Sequence, residues 1–289
     1  MNSEKRTDSI DAVAGLLIIY MIYKHIVQWL CMCDDSVYVV SQQILFFFMA
    51  WFAFKAGMFF RVKDYRPMLI DSFRRLIVPF VIYSFCGWIL WSIDRLLDGD
   101  VSLRTYFRTP ARELWHLGAI GGNLPLWWLS SLFLARLIFN AILRQQKVVA
   151  TLLISFLVLL PLLLNFGFGR TTDHLYLANV PTLLLFLMSG YWLKQWTANR
   201  YLLILSFFVY VLSVIFIPSY VDFRTGQLVF GSFPVWVLSS LAGILLINAA
   251  FAAIPFRMSV LTYVGRHSII FFAVHWLVLY ACKIVCRLI

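Results

Sequence analysis

The sequence predicts an all-α protein, a polytopic transmembrane helical bundle of about nine to ten spans that forms one integral-membrane domain over residues 1–289. Three observations carry this. The chain is 62% hydrophobic and 18% aromatic with a mean hydropathy of +0.86, more apolar surface than a soluble globule can hide. The apolar residues come in runs of about twenty, the length a helix needs to cross a bilayer. These runs do not alternate apolar with polar positions, and backbone in lipid must satisfy its own hydrogen bonds, so helices are expected and barrel strands are not.

Residues 1–10, MNSEKRTDSI, make a polar start in which Asp8 or Ser9 is placed to cap the first helix. The first span, Asp11 to Cys31, is too long for a signal h-region and no small-residue cleavage motif follows it, so it stays as a span. It exits at Cys33, Asp34 and Asp35. A second span runs from about Val37 to Phe60, and the basic segment RVKDYRPMLIDSFRR leads as a loop into a third, Leu76 to Ile93. Asp94 to Leu124 is the longest polar segment, and Gly118, Gly121, Gly122 and Pro125 suit a structured loop there better than a helix. Further spans are expected at 125–143, 148–166, 175–193, 201–218, 232–254 and 261–282. The second and sixth spans end alike, in FKAGMFFRVK and LMSGYWLKQW, where a small residue beside Gly permits close helix contact.

The formal charge of +11 does not point to nucleic acid, because the cations are scattered between apolar runs and form no basic face. They read as topology signals. Alternate joints hold thirteen cations against four acids, the others six against eight, which places the N-terminus in the cytoplasm of a cell whose cytoplasmic membrane holds the protein. Nine spans leave Lys283 and Arg287 on the outer side, against that rule: either two basic residues are tolerated there, one segment is re-entrant, or a last helix is missing. Cys31, Cys33, Cys86, Cys282 and Cys286 form no zinc quartet with His at ligand spacing, and no metal is predicted.

His25 lies deep in the first span, where an ionisable group is costly and usually faces a protein interior or a wet cavity. Helical geometry puts positions 11, 14 and 25 within about 40° of one stripe and His25 about 21 Å along the axis from Asp11. An imidazole can accept a proton from a hydroxyl. The alternative is a histidine held in a packing network. Lys24 points about 100° away from it. Arg74 and Arg75 before Pro79 suit bidentate phosphate binding or a plain positive-inside anchor. Arg136 is close to mid-membrane and is expected to pair with a carboxylate or a ligand phosphate, whereas Lys55 can snorkel. Trp127 and Trp128 fit an aromatic belt. His275 is a second imidazole within a span, and His116 lies in the long polar segment. Asp11 is read as the one carboxylate inside a span, which argues against a relay of buried acids. No Walker loop, G-x-G-x-x-G, H-E-x-x-H or G-x-S-x-G occurs.

Five stretches occur in order: Asp11 to His25, FFF…AGMFF at 46–60, FRRLIVPF at 73–80, PLWWLSSLF at 125–133 and YVGRHSIIFFAVH at 263–275. Together they resemble acyltransferase family 3, the integral-membrane acyltransferases. The resemblance implies transfer of an acyl group, most often acetyl, from cytoplasmic acyl-CoA to a sugar hydroxyl of a cell-envelope polysaccharide or lipid-linked glycan, in a bacterial cytoplasmic membrane. It implies His25 as the catalytic residue, with Asp11 on the same stripe, and Arg74 and Arg75 as acyl-CoA ligands. Lys55 and Arg136 are further candidates for the donor, and His275, Trp127, Trp128 and His116 for the acceptor or the oxyanion. In two places the chain departs from the family pattern: Ala14 stands where an Arg or Lys usually precedes the His by eleven residues, and Ala56-Gly57 replaces Ser-Gly. Lys55, Lys24 and Arg136 are the cations that could stand in for the missing one. The alternative function is a transporter or a diverged, inactive relative.

Overall fold

The computed structural model describes residues 3–30, 35–99, 102–166, 175–194, 199–254 and 259–288. The Cys31–Cys33–Asp34 exit, Asp100, the joint at Arg170 to Asp173 and Arg257 lie outside the described residues. The described chain is helical apart from one short hairpin. The helices are α1 (Ser3–Trp29), α2 (Ser36–Leu45), α3 (Phe48–Met58), α4 (Tyr65–Ser72), α5 (Val78–Leu97), α6 (Leu103–Leu117), α7 (Trp127–Leu143), α8 (Lys147–Phe166), α9 (Leu175–Ala178), α10 (Val180–Leu193), α11 (Arg200–Phe216), α12 (Phe233–Ala253), α13 (Ser259–Arg266) and α14 (Ser268–Leu288). Strands β1 (Tyr220–Asp222) and β2 (Gln227–Phe230) pair antiparallel. Six helical stretches are long and apolar enough to cross a membrane, and three shorter apolar helices cover the other expected runs.

Several boundaries differ from the sequence reading. Helix α1 already runs through Asp8 and Ser9, so neither caps it. The second run breaks at Phe46 and Phe47, where the Tyr210 hydroxyl donates to the Ile44 carbonyl that would otherwise accept within the helix. The 61–75 segment is no loop beyond Asp64: α4 starts at Tyr65, with Pro67 in its first turn where no N–H is needed. A single π turn, Phe73–Ile77, joins α4 to α5. Pro79 cannot donate to the carbonyl four residues back, and the ladder slips so that the Val78 N–H reaches Phe73 O. Asp71 and Asp94 therefore sit near the two ends of one long helical stretch, Tyr65–Leu97, on either side of its apolar middle.

The polar segment at 94–124 is not a loop throughout, since it contains α6. Pro110 leaves the Tyr106 carbonyl without its helical donor, and the Trp88 indole N–H takes that carbonyl at 2.9 Å. Gly118 (φ 69°) then ends the helix in the left-handed conformation. The last run breaks at His267, whose imidazole Nδ1 lies 2.9 Å from the Tyr263 carbonyl, which its own N–H also contacts at 3.2 Å. Arg266 thus closes α13 while Ser268 and His275 belong to α14.

The chain forms two compact units. The first holds residues 1–60, 185–223 and 227–271; the second holds 61–184, 224–226 and 272–289. In the first unit α1 packs on α13 with almost no spacing: a Cβ on Gly15 would overlap the Leu261 carbonyl, and one on Gly265 would overlap the Asp11 carbonyl. The two similar span ends meet each other here. A Cβ on Gly57 would overlap the Leu187 carbonyl and one on Gly190 the Phe54 carbonyl, so α3 and α10 touch backbone to backbone through the small-Gly pairs. Trp51, fully buried, donates from its indole to Asn248 at 2.8 Å.

In the second unit α5 and α14 run side by side in the same direction. At one level the Asn123 amide donates to Ala273 O (2.9 Å) and Tyr83 O (3.5 Å). About 16 Å further along, Asp94, only 3% exposed, accepts from Lys283 (2.7 Å), Arg287 (2.8 Å) and the Tyr280 hydroxyl (3.1 Å). Arg287 also reaches Asp98 at 2.9 Å. The tail cations thus meet the carboxylates of the α5 end.

Candidate functional site

Asp11 gathers the charge of the first unit. Its carboxylate lies 3.1 Å from the Lys55 ammonium and 3.5 Å from Arg266 Nε, and Arg266 also grips Asp8 at 2.5 Å. The fold explains the meeting. Ala14 is fully buried and Gly265 has no side chain, so α13 closes on α1 and Arg266, the next residue, is delivered to Asp11. Lys55 comes from the last turn of α3 and passes its ammonium near the Trp51 ring, 5.6 Å from its centre. Lys55 and Arg266 are thus the cations that meet Asp11, whereas Lys24 and Arg136 have other partners. Arg266 was not singled out as a site residue; its signal was the YVGRH stretch.

His25 stands on the same helix, half-buried, about 21 Å from Asp11 along the axis. Its neighbour Lys24 is only 9% exposed, donates to the Tyr220 hydroxyl at 3.3 Å and lies 5.3 Å from the centre of the Phe48 ring. The β-hairpin is therefore fastened to α1 one residue from His25. Burial and the nearby Asp222 carboxylate push the Tyr220 phenol up to about 12, so it stays a neutral donor at any physiological pH.

The second unit has its own charged cluster, built where α4 and the π turn face α7. Asp71 pairs with Arg75 (2.8 Å), Lys63 (3.1 Å) and Arg136 (3.7 Å), and Arg136 Nε donates to the Ser72 hydroxyl at 3.4 Å. One carboxylate here faces three cations, so the cluster carries net positive charge suited to an anion. Asn140 and Arg144 of α7 fix the approach: Asn140 both accepts from the Lys63 N–H (3.0 Å) and donates to its carbonyl (2.9 Å), and Arg144 pairs with Asp64 at 2.6 Å. Asp64 holds the Arg144 guanidinium above its ordinary range. Arg74 and Arg75 are both exposed, and Arg75 also reaches Asp71. Asp71 and Lys63 were missed in the sequence because the segment read as a loop, in which i and i+4 have no defined relation.

Trp127 and Trp128 are no interfacial belt. They are 9% and 6% exposed and meet edge to face at 5.8 Å inside the second unit. His275 is also buried, with Nδ1 2.7 Å from the Phe272 carbonyl. His116 is half-buried near the end of α6.

The fold and these clusters define a polytopic helical membrane protein with charged groups held inside its spans. Residues 7–287 match the acyltransferase domain family, essentially the whole chain, and the protein belongs to that family. It is a membrane acyltransferase by family. No curated protein and no solved structure gives a match.

Proposed function

We propose that the chain is an O-acyltransferase that moves an acyl group, in the simplest case acetyl, from cytoplasmic acyl-CoA to a sugar hydroxyl of a cell-envelope polysaccharide or its lipid-linked precursor. On this reading it works in a bacterial cytoplasmic membrane with its N-terminus in the cytoplasm. One observation carries the proposal: His25 stands half-buried on the helix whose other end holds the Asp11–Lys55–Arg266 cluster. His25 accepts the hydroxyl proton as the sugar oxygen attacks the thioester carbonyl. The ester C–O bond forms, the C–S bond breaks, and the proton passes to the departing thiolate. The Asp71 cluster of the second unit, with Arg75 and Arg136, is suited to bind the donor's phosphates, whereas the burial of Trp127 and Trp128 leaves little ring face for a sugar.

The test follows thiol release from acetyl-CoA and acetyl esters on envelope glycans, with wild type and His25→Ala at equal protein level. Wild type is expected to release thiol and form esters, and His25→Ala to lose at least a hundredfold. Esters at wild-type level with Ala at 25 would refute His25 as base. Substrate flux without thiol release would favour a transporter.

A further inference from the structure

The first unit contains a cavity of about 310 Å³ at the end of α1 away from Asp11. Its walls come from α2, the end of α11, the β-hairpin and α12. Among the described residues the lining carries no charged side chain. The aromatic part is ordered: Tyr220 and Phe230 stack at 6.0 Å across the hairpin, and Phe46 stacks on Tyr210 at 6.2 Å.

The polar lining divides into spent and unspent groups. The hydroxyls of Ser213 and Ser239 donate one turn back, at 2.6 and 2.7 Å, and Ser219 accepts from the Ser232 N–H while donating to Ile217 O. Gln42 and Gln43 differ. Both face the cavity from α2, within a stretch apolar enough to span a membrane, and among the described residues neither amide has a hydrogen-bond partner. Each offers two donors and an acceptor. Gln42 is half-buried and Gln43 exposed, so both amides are open to a ligand that enters the cavity. Tyr220 lines the cavity, and its hydroxyl accepts from Lys24, which leaves the hydroxyl proton for a further acceptor.

A ligand that matches this lining is compact and uncharged, carries neighbouring hydroxyls that both donate and accept, and presents C–H faces to aromatic rings. A pyranose has these features, and the volume, at the lower end of small-molecule pockets of about 300 Å³ and above, holds one ring with its waters. We propose that this cavity binds one pyranose ring of the acceptor, held by the Gln42 and Gln43 amides and the Tyr220 hydroxyl against Phe230 and Phe46, and that the two glutamines determine which sugar is accepted. Calling the sugar an acceptor rests on the function proposed above; the sugar site itself does not. The Lys24–Tyr220 hydrogen bond ties its wall to the residue beside His25.

The experiment uses the full chain in lipid nanodiscs without acyl-CoA. Saturation-transfer NMR is recorded with the methyl glycosides of glucose, galactose, rhamnose and N-acetylglucosamine. Ring-proton saturation is expected for at least one of them, reduced at least fivefold in the Gln42→Leu/Gln43→Leu double variant and about threefold in Tyr220→Phe, which keeps the ring and the volume. Should the double variant not fold, Tyr220→Phe carries the test. No saturation with any of the four, saturation unchanged in the variants, or saturation confined to the alkyl protons of octyl glucoside overturns the proposal. Tighter binding of octyl over methyl glucoside, with the ring still saturated, marks a lipid-linked acceptor, and equal binding marks a polymer end; both support the site. Sugar binding without any acyl transfer leaves this site standing and refutes the acyltransferase reading. Acyl transfer whose acceptor KM is unmoved by the double variant does the reverse.

Discussion

Replacing Lys55 by Met tests the Asp11 cluster most directly, because the substitution keeps chain length and removes charge. At 3.1 Å and an effective dielectric near 20 the gross attraction between the two charges is about 5 kcal/mol. Most of that offsets the desolvation of two groups whose side chains are only 21% and 14% exposed. Arg266, 3.5 Å from the same carboxylate, remains after the change and keeps Asp11 from being stranded. The net loss expected for Lys55→Met is therefore about 2 kcal/mol, below the 3–5 kcal/mol typical of an orphaned buried charge. Asp11→Asn should cost more, about 3 kcal/mol, since it leaves Lys55 and Arg266 without their shared acceptor. The double variant should recover part of this, with a coupling energy of about 1–2 kcal/mol. Reversible unfolding in mixed micelles of wild type, both single variants and the double variant measures it. Strictly additive effects, with coupling under about 0.3 kcal/mol, would show that the Asp11–Lys55 pair does not hold α3 to α1.

Three further changes address the packing and the second unit. Gly57→Leu or Gly190→Leu drives a side chain into a backbone carbonyl that has nowhere to move, so the yield of monodisperse protein should fall at least tenfold by size-exclusion chromatography, and near-wild-type yield would refute the backbone contact of α3 with α10. Arg136→Gln should raise the KM for acyl-CoA about tenfold, the loss of roughly 1.4 kcal/mol expected for one charge-assisted contact, while the acceptor KM holds; an unchanged donor KM separates Arg136 from donor binding. Asp94→Asn leaves Lys283 without a charged acceptor, while Arg287 keeps Asp98, and should cost about 2 kcal/mol, visible as faster protease cleavage near residue 280 than in wild type.

Much of the fold was legible in the chain because lipid leaves the backbone few choices. Runs of about twenty apolar residues become helices whatever their neighbours do, and each expected run falls on an apolar helix. The boundaries were harder to read. Charge marks where a helix leaves the apolar layer, yet a helix does not end there: α4 carries Arg66 and Asp71 as part of the same rod as α5, and α6 forms in a segment rich in Arg. Pro79 and Pro110 were visible, but whether each ends a helix, starts one or shifts its ladder depends on what takes the freed carbonyl. At Pro110 that partner is Trp88, from another helix.

For the candidate site, the sequence alone determined the inventory. It set His25 about 21 Å along one helix from Asp11, because helical rise is fixed, and it marked Lys55, Arg136 and the arginines before Pro79 as ionisable groups where burial is costly. Only the tertiary structure decided the partners. Asp11 meets Arg266, 255 positions away, because Gly15 and Gly265 let α1 and α13 touch, and it also meets Lys55 of α3, 44 positions away. Arg136 meets Asp71 and not Asp11, and the tail cations, at odds with the charge rule in sequence, find Asp94 across a pair of parallel helices. A charge pattern fixes which end of a helix stays wet. Which carboxylate answers which cation is set by backbone spacing between helices, and that spacing is decided by glycines whose contacts lie hundreds of residues apart.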